Sequence, residues 1–457
     1  MPFPSVRVIG GGLAGVEAAH LLARSGVPVE LFEMRPKVTT PAHKTGMLAE
    51  LVCSNSFKGT DPATAHGILK REMVSLGSLV LSAAGQSRVP AGKALAVDRE
   101  TFSDIIIGQV DAQKLITLRR EEVKEIDPDQ PTIIATGPLT SDTLARNLAA
   151  MTGSERLFFY DAISPIIDAE SIDMDHAFSG ARWSDDCSDY LNCPLDEVCY
   201  KRFVNEVLEA DKVRAHEFED ARFFEACLPI EIMAARGQDA LRYGPMRPVG
   251  LKDPSTGKRP YAVVQLRKEN LIGNAYTMVG FQTRLTFPEQ KRVIGMIPAF
   301  SSAGFLRYGS IHRNTYLDSP RILQPDLQLI GYENIYLSGQ ITGVEGYTES
   351  AAMGIMAGIS MLVRLKGGHL TSPGPETAIG ALIRYITDGT INNFQPMNAN
   401  FGIMSMPDAP KAVRNEMRSQ TALLAFEEWK KSIAVTIKCD YPAPLQHIHT
   451  DIPDWKP

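Results

Sequence analysis

An α/β fold with a parallel central sheet is predicted by three stretches of the 457-residue chain. Ser5–Glu33 reads as strand, glycine-rich turn, helix and strand. Thr132–Ile134 is a buried apolar run that leads to Thr136-Gly137, and Asn334–Leu337 is another, followed by Gly339-Gln340 and a Gly- and Ala-rich helix. Strands that end at glycine beside a turn or helix are how a parallel sheet brings the chain repeatedly to one edge.

The first stretch carries the most information. Val6–Ile9 is a short apolar strand, Gly10, Gly12 and Gly15 follow at G-x-G-x-x-G spacing, Leu13–Arg24 has helical apolar periodicity that Gly26 ends, and Val29–Phe32 is a second strand. Gly10 permits the tight strand-to-helix turn, Gly12 lets backbone approach a pyrophosphate, and Gly15 lets the helix pack close to the sheet. The helix N-terminus presents N–H groups to phosphates. Glu33 lies 18 residues beyond Gly15, where a carboxylate accepts ribose hydroxyls. The glycine motif alone is weak; with a strand before it, a helix after it and the acid in place, it predicts a dinucleotide site. Two later returns to the same edge favour FAD over NAD. The cofactor-binding set is then Gly10, Gly11, Gly12, Leu13, Ala14, Gly15, Glu33, Thr136, Gly137, Gly339 and Gln340. No second G-x-G-x-x-G exists, so NADPH or NADH is expected only as a transient reductant at the flavin face.

Between these stretches the pattern predicts a helix around Leu69–Ala83, a strand Ala94–Val97 and a helix Glu100–Val110. Later come an apolar helix Thr377–Thr387 and a long helix from about Lys411 to Lys431. The 44% hydrophobic, 22% charged composition is that of a globular protein, and no stretch approaches the length of a membrane span. The N-terminus passes straight into the first strand, leaving no room for a signal peptide, and six cysteines suggest no disulfide framework, so a cytoplasmic location is expected.

Charge is unevenly distributed. Residues 168–200 hold nine acidic residues against Arg182 alone, and are expected to form a solvated surface. Cys187, Cys193 and Cys199 recur there at a spacing unlike any zinc motif, and His447 and His449 suit a solvated tail, so no metal is assigned. Residues 242–313 reverse the balance, with twelve basic residues against Asp253, Glu269 and Glu289, interleaved with Tyr243, Tyr261, Tyr276, Phe281, Phe287 and Phe300. Basic charge and aromatic rings together suit unpaired RNA. The alternative is a solubilising surface whose aromatics lie in the core.

GGGLAGVEAA (Gly10–Ala19), ELVCSNSFKG (Glu50–Gly59), YGSIHRNTY (Tyr308–Tyr316), SGQITGVEGYTES (Ser338–Ser350) and FQPMNANFG (Phe394–Gly402) closely resemble the TrmFO family, flavin- and folate-dependent tRNA (uracil-5-)-methyltransferases. The likeness runs over nearly the whole chain; the related GidA flavoproteins share the pattern near 339–347 but are longer and lack ELVCSNS. The resemblance implies a Rossmann-like, glutathione-reductase-like FAD-binding domain with an inserted α/β domain and C-terminal helices. The expected parts are 1–195 and 305–457 for the FAD-binding domain and 196–304 for the insertion, on the RNA and folate side. It also implies that 5,10-methylenetetrahydrofolate donates a one-carbon unit, that NADPH or NADH reduces FAD, and that the methyl group reaches C5 of the tRNA T-loop uridine. The expected partners are tRNA, folate and NAD(P)H, with no membrane and no metal, in a monomer or weak dimer.

C5 of uracil is a poor nucleophile until a group adds to C6, and a thiolate adds and leaves again readily. Cys53 in ELVCSNS and Cys227 in FFEACLPIEIMAARG match functional family positions, with Cys227 expected as the C6 nucleophile, Cys53 as the flavin-side partner, and the reverse order open. Cys439 is expected to be structural. His312 and Tyr347 are candidates for holding the folate pteridine, with a core role as the alternative for each. The same chemistry on ribosomal RNA, a small-molecule flavin oxidoreductase and a non-catalytic RNA-binding flavoprotein are the competing readings.

Overall fold

The computed structural model describes residues 3–153, 157–182, 189–213, 228–405, 410 and 413–437. Cys187, Cys227, Cys439, His447 and His449 lie outside the described residues. The first strand, β1 (Val6–Ile9), the first helix, α1 (Leu13–Arg24), and the second strand, β2 (Val29–Phe32), form where the apolar spacing puts them. They belong to a five-stranded sheet in the order Ile335–Leu337, Thr132–Ile134, β1, β2, Ile116–Arg119, parallel throughout. The three stretches that end in glycine thus lie side by side, from the edge strand Ile335–Leu337 to β1 in the middle, although more than 300 residues separate β1 from Ile335.

One face of that sheet is covered by α1, which packs along the helix Tyr347–Leu365. The crossing is close because Gly354 has no side chain; a Cβ there would strike the backbone of Ala14. The expected single helix over Leu69–Ala83 is two, Ala65–Ser75 and Leu79–Gln86. Gly77 takes φ +77°, which ends the first, and the Ser78 hydroxyl accepts from Leu81 N at 3.1 Å, which starts the second. Apolar periodicity runs through this break because both helices bury one face in the same core.

Two buried carboxylates tie helix starts into the core. Glu17 of α1 accepts from Leu79 N and Val80 N at 3.0 Å each, and Glu72 accepts from Ala378 N and Ile379 N at 2.8 Å each. Each satisfies orphan donors of a helix first turn with a side chain distant in sequence. The last helix, Arg414–Ile437, seats Phe426, Trp429 and Ile433 on that core, and the Trp429 indole donates to the Thr371 carbonyl at 2.7 Å.

A second, six-stranded sheet runs Phe178–Ser179, Tyr190–Leu195, Ala262–Lys268, Ala275–Met278, Ile166–Asp168, Phe305–Arg307, antiparallel throughout. It has its own core, including Phe203, Phe281 and Phe300. The acidic stretch 168–200 is therefore only partly a solvated surface: Leu191, Cys193 and Leu195 are buried strand residues, and the described acids sit mostly at turns and helix starts around them. The paired strands Leu157–Ile163 and Ser310–Tyr316 lie in a sheet of their own, where the chain passes between the two larger ones.

Candidate active site

A cleft opens over the ends of the parallel strands. Gly10, Gly11, Gly12, Leu13, Ala14, Glu33, Thr136, Gly137, Gly339, Gln340 and Tyr347 all line it. Gly10 takes φ +110°, and a Cβ there would lie 2.5 Å from the Ala135 carbonyl oxygen. Gly15 stands behind the cleft: its Cβ would run into the Gly10 carbonyl, so it sets the approach of α1 to β1 rather than a lining. A Cβ on Gly12 would meet nothing within 4 Å, and Gly12 caps α1 without a side-chain bond. Gly12, Leu13 and Ala14 all line the cleft, so the first turn of α1 borders it, an arrangement suited to phosphate. Ser141, also lining the cleft, has a buried hydroxyl with no protein partner. A glycine-floored, largely apolar cleft with an unsatisfied hydroxyl and helix amides at one end fits a dinucleotide.

Glu33 occupies the tip of β2, but its carboxylate is already engaged. Oε2 accepts from Gly11 N at 3.1 Å and Arg35 Nη2 at 3.0 Å, while Oε1 accepts from Arg35 N and Nε at 2.9 Å each. Burial alone would raise its pKa; the Arg35 bonds and charge, with the Gly11 amide, outweigh it and hold the carboxyl below its usual range. A ribose hydroxyl at Glu33 would have to share or take one of these sites. Arg35, two residues past the recognised acid, had no motif to mark it.

Cys53 adjoins the cleft through its neighbour Val52, which lines it. Its backbone N–H donates to the Tyr347 hydroxyl at 2.8 Å, as does Ser54 N at 3.3 Å, and Tyr347 lines the cleft. The half-buried Cys53 sulfur lies 4.0 Å from the Ala162 carbonyl. Burial, and then Cys53, push the Tyr347 phenol up, so it stays a neutral clamp. Two arginines hold the same loop from behind. Arg307 donates to the Val52 and Cys53 carbonyls at 3.2 and 3.1 Å, and Arg99 donates to the Leu51 carbonyl while pairing with Glu269 at 2.6 Å. Arg267 donates to Asn55 Oδ1 at 2.9 Å.

Two of the arginines counted toward an RNA surface, Arg267 and Arg307, therefore belong to this buried lattice instead. Burial, then Arg99 nearby, lowers the Arg307 guanidinium to about 10. Phe281 and Phe300 are core residues too, whereas Arg247, Lys252, Lys258, Arg259, Lys291, Tyr243 and Phe287 are exposed. Cys193 is fully buried, and burial pushes its thiol up, which suits an inert core residue. His312 lies in the strand Ser310–Tyr316, across from Asp161 of the neighbouring strand. On the cleft side, Gln340 donates to Glu345 Oε2 at 2.5 Å. Burial, and then the Asp161 charge, raise the Glu345 carboxyl to about 8.

Fold and cleft together define a protein with the Rossmann-like FAD-binding fold. A model of the family described as glucose inhibited division protein A matches residues 5–369. Among curated relatives, the methylenetetrahydrofolate–tRNA-(uracil-5-)-methyltransferase TrmFO of Moorella thermoacetica is 52% identical over 429 residues, covering 93% of this chain and 98% of that protein. The TrmFO of Aquifex aeolicus is likewise 52% identical over 431 residues, covering 93% and 96%. A crystal structure of Aquifex aeolicus GidA superimposes with a TM-score of 0.70 at 17% identity, over 97% of this chain and 75% of that one. The chain belongs to the glucose inhibited division protein A family, and to the TrmFO group its curated relatives define. Among the described residues, no three His, Cys, Asp or Glu side chains are placed to hold a metal, and no helix is long and apolar enough to cross a membrane.

Proposed function

We propose that this chain transfers a one-carbon unit from 5,10-methylenetetrahydrofolate to C5 of the T-loop uridine of tRNA, with FAD as cofactor and NADPH or NADH as reductant. The observation that carries the reading is the bond between Cys53 N and the cleft-lining Tyr347. It sets a thiol beside a dinucleotide cleft in a chain about half identical to TrmFO enzymes over most of its length. Bound there, FAD would supply the two-electron reduction that turns a methylene unit into a methyl group.

The chain's own residues have separable tasks. The amides at the start of α1 and the Ser141 hydroxyl would hold the cofactor phosphates, and Glu33 with Arg35 would orient its ribose. Tyr347 spends its acceptor lone pairs on two amides of the Cys53 loop, so it offers a substrate its ring and its hydroxyl proton. His312, on the strand pair beside the loop, is proposed to share in folate binding. Cys227 would add to C6 of uracil and leave by β-elimination after C5 has reacted, with Cys53 on the flavin side. Arg99, Arg307 and Tyr347 fix Cys53 as positioning residues. We also infer that the inserted unit begins near residue 164 and ends near 308, the support being the strands of the second sheet. A cytoplasmic monomer or weak dimer completes the reading.

Purified protein, unmodified tRNA, NADPH and methylenetetrahydrofolate should yield 5-methyluridine in the T-loop by mass spectrometry of nuclease fragments. Bound FAD and active NADPH oxidation with no 5-methyluridine would overturn the proposal in favour of a small-molecule oxidoreductase.

A further inference from the structure

Phe305, Tyr308 and Phe287 form a near-parallel stack at the edge of the second sheet. Ring centroids are 4.7 Å apart in both steps, with interplanar angles of 11° for Phe305–Tyr308 and 18° for Phe287–Tyr308. Ring pairs inside the cores meet tilted, as do Phe57–Phe102 at 56° and Phe203–Phe281 at 39°. Phe287 ends the stack and stays 55% exposed although Tyr308 covers one of its faces. The uncovered face is open to solvent.

Cationic charge and position give that face an occupant. Phe287 opens the helix Phe287–Ile294, and Lys291, one turn on along the same side, is exposed. A flat apolar ring beside an exposed ammonium matches a base and its phosphate. Arg307, between Phe305 and Tyr308 in sequence, donates to the carbonyls of Val52 and Cys53. Arg307 thereby ties the strand end that carries Phe305 to the Cys53 loop.

We propose that the open face of Phe287 stacks on an unpaired base flanking the target uridine, with Lys291 neutralising the neighbouring phosphate. The proposal rests on the RNA-methylating reading above and names where that RNA is gripped. Phe287 fills no core, so its removal leaves the fold intact, which an unchanged thermal midpoint verifies.

The test is T-arm hairpin binding by the full-length, FAD-loaded protein, followed by fluorescence anisotropy. Phe287→Ala is expected to weaken binding by about 5- to 100-fold, and Phe287→Trp to preserve it. Lys291→Ala is expected to lower the slope of log affinity against log salt by about 1. The flavin spectrum and the KM for methylenetetrahydrofolate should not change. Abasic nucleotides are then placed one at a time beside the target uridine. At one position the parent should lose what Phe287→Ala loses, and the variant should lose nothing further. Parental affinity in Phe287→Ala, or an effect confined to the folate KM, overturns the platform while the methylation reading stands. A parent that methylates no RNA overturns both.

Discussion

The cleft over β1, α1 and β2 and the Cys53 loop beside it are built by opposite means. The cleft is made of backbone: glycines that remove Cβ atoms, a positive φ at Gly10 and a helix N-terminus without a side-chain cap. The loop is made of side chains: Tyr347 holds Cys53 N across 294 residues of sequence, and Arg307 holds its carbonyl across 254. A backbone site tolerates change where it faces the ligand and not where elements cross. A side-chain site fails wherever one member is lost, because each buried partner then goes unpaired.

Substitutions can separate the two. Cys53→Ala should have the largest effect, lowering methyl transfer on the order of 10³-fold with the flavin spectrum and tRNA affinity retained. Within the cleft, Gly15→Ala and Gly12→Ala should diverge. The first drives a Cβ into the Gly10 carbonyl and is expected to cost about 3 kcal/mol, read as a lower thermal midpoint with or without FAD. The second places its methyl in open space, so the apoprotein midpoint should hold while FAD affinity, read by fluorescence titration, drops about 10-fold or more. Equal effects of the two on apoprotein stability would break the comparison.

Tyr347→Phe removes the acceptor for two amides and should cost about 1–3 kcal/mol in chemical denaturation, together with about 10- to 100-fold in methyl transfer. The smallest effect concerns pH. Burial raises the Glu72 carboxyl from 4.5 to about 8, against the pull of two helix amides. A folded value above the unfolded one means that this group's contribution to stability is complete below about pH 4.5 and is lost as pH rises through about 8. Glu72→Gln keeps an acceptor oxygen without the proton, so its thermal midpoint should fall less than the parent's between about pH 5 and 8, by about 2 °C or more. Parallel curves for parent and variant would contradict this assignment.

How much of this was legible in the sequence follows from the same contrast. Gly10, Gly12 and Gly15 announce a turn at fixed spacing, and β1, α1 and β2 lie where the apolar pattern puts them. The break at Gly77 was hidden because the apolar face continues across it. Resemblance pointed to Cys53, but no local pattern revealed that Arg99, Arg307 and Tyr347 converge on it, since convergence over such distances leaves no periodicity. Segment charge likewise could not tell Arg267, buried against Asn55, from Lys291, exposed beside Phe287.

The central claim is that cleft and thiol loop serve one reaction. The most direct measurement is a single turnover: FAD-loaded protein reduced with NADPH, freed of excess nicotinamide without oxygen, and mixed with T-arm RNA and methylene-labelled methylenetetrahydrofolate. Flavin absorbance and labelled 5-methyluridine are followed together. The account predicts one labelled methyl group per flavin reoxidised, with the same rate constant for both signals. Flavin reoxidation at the same rate without labelled RNA, or labelled RNA with no flavin change, would contradict it.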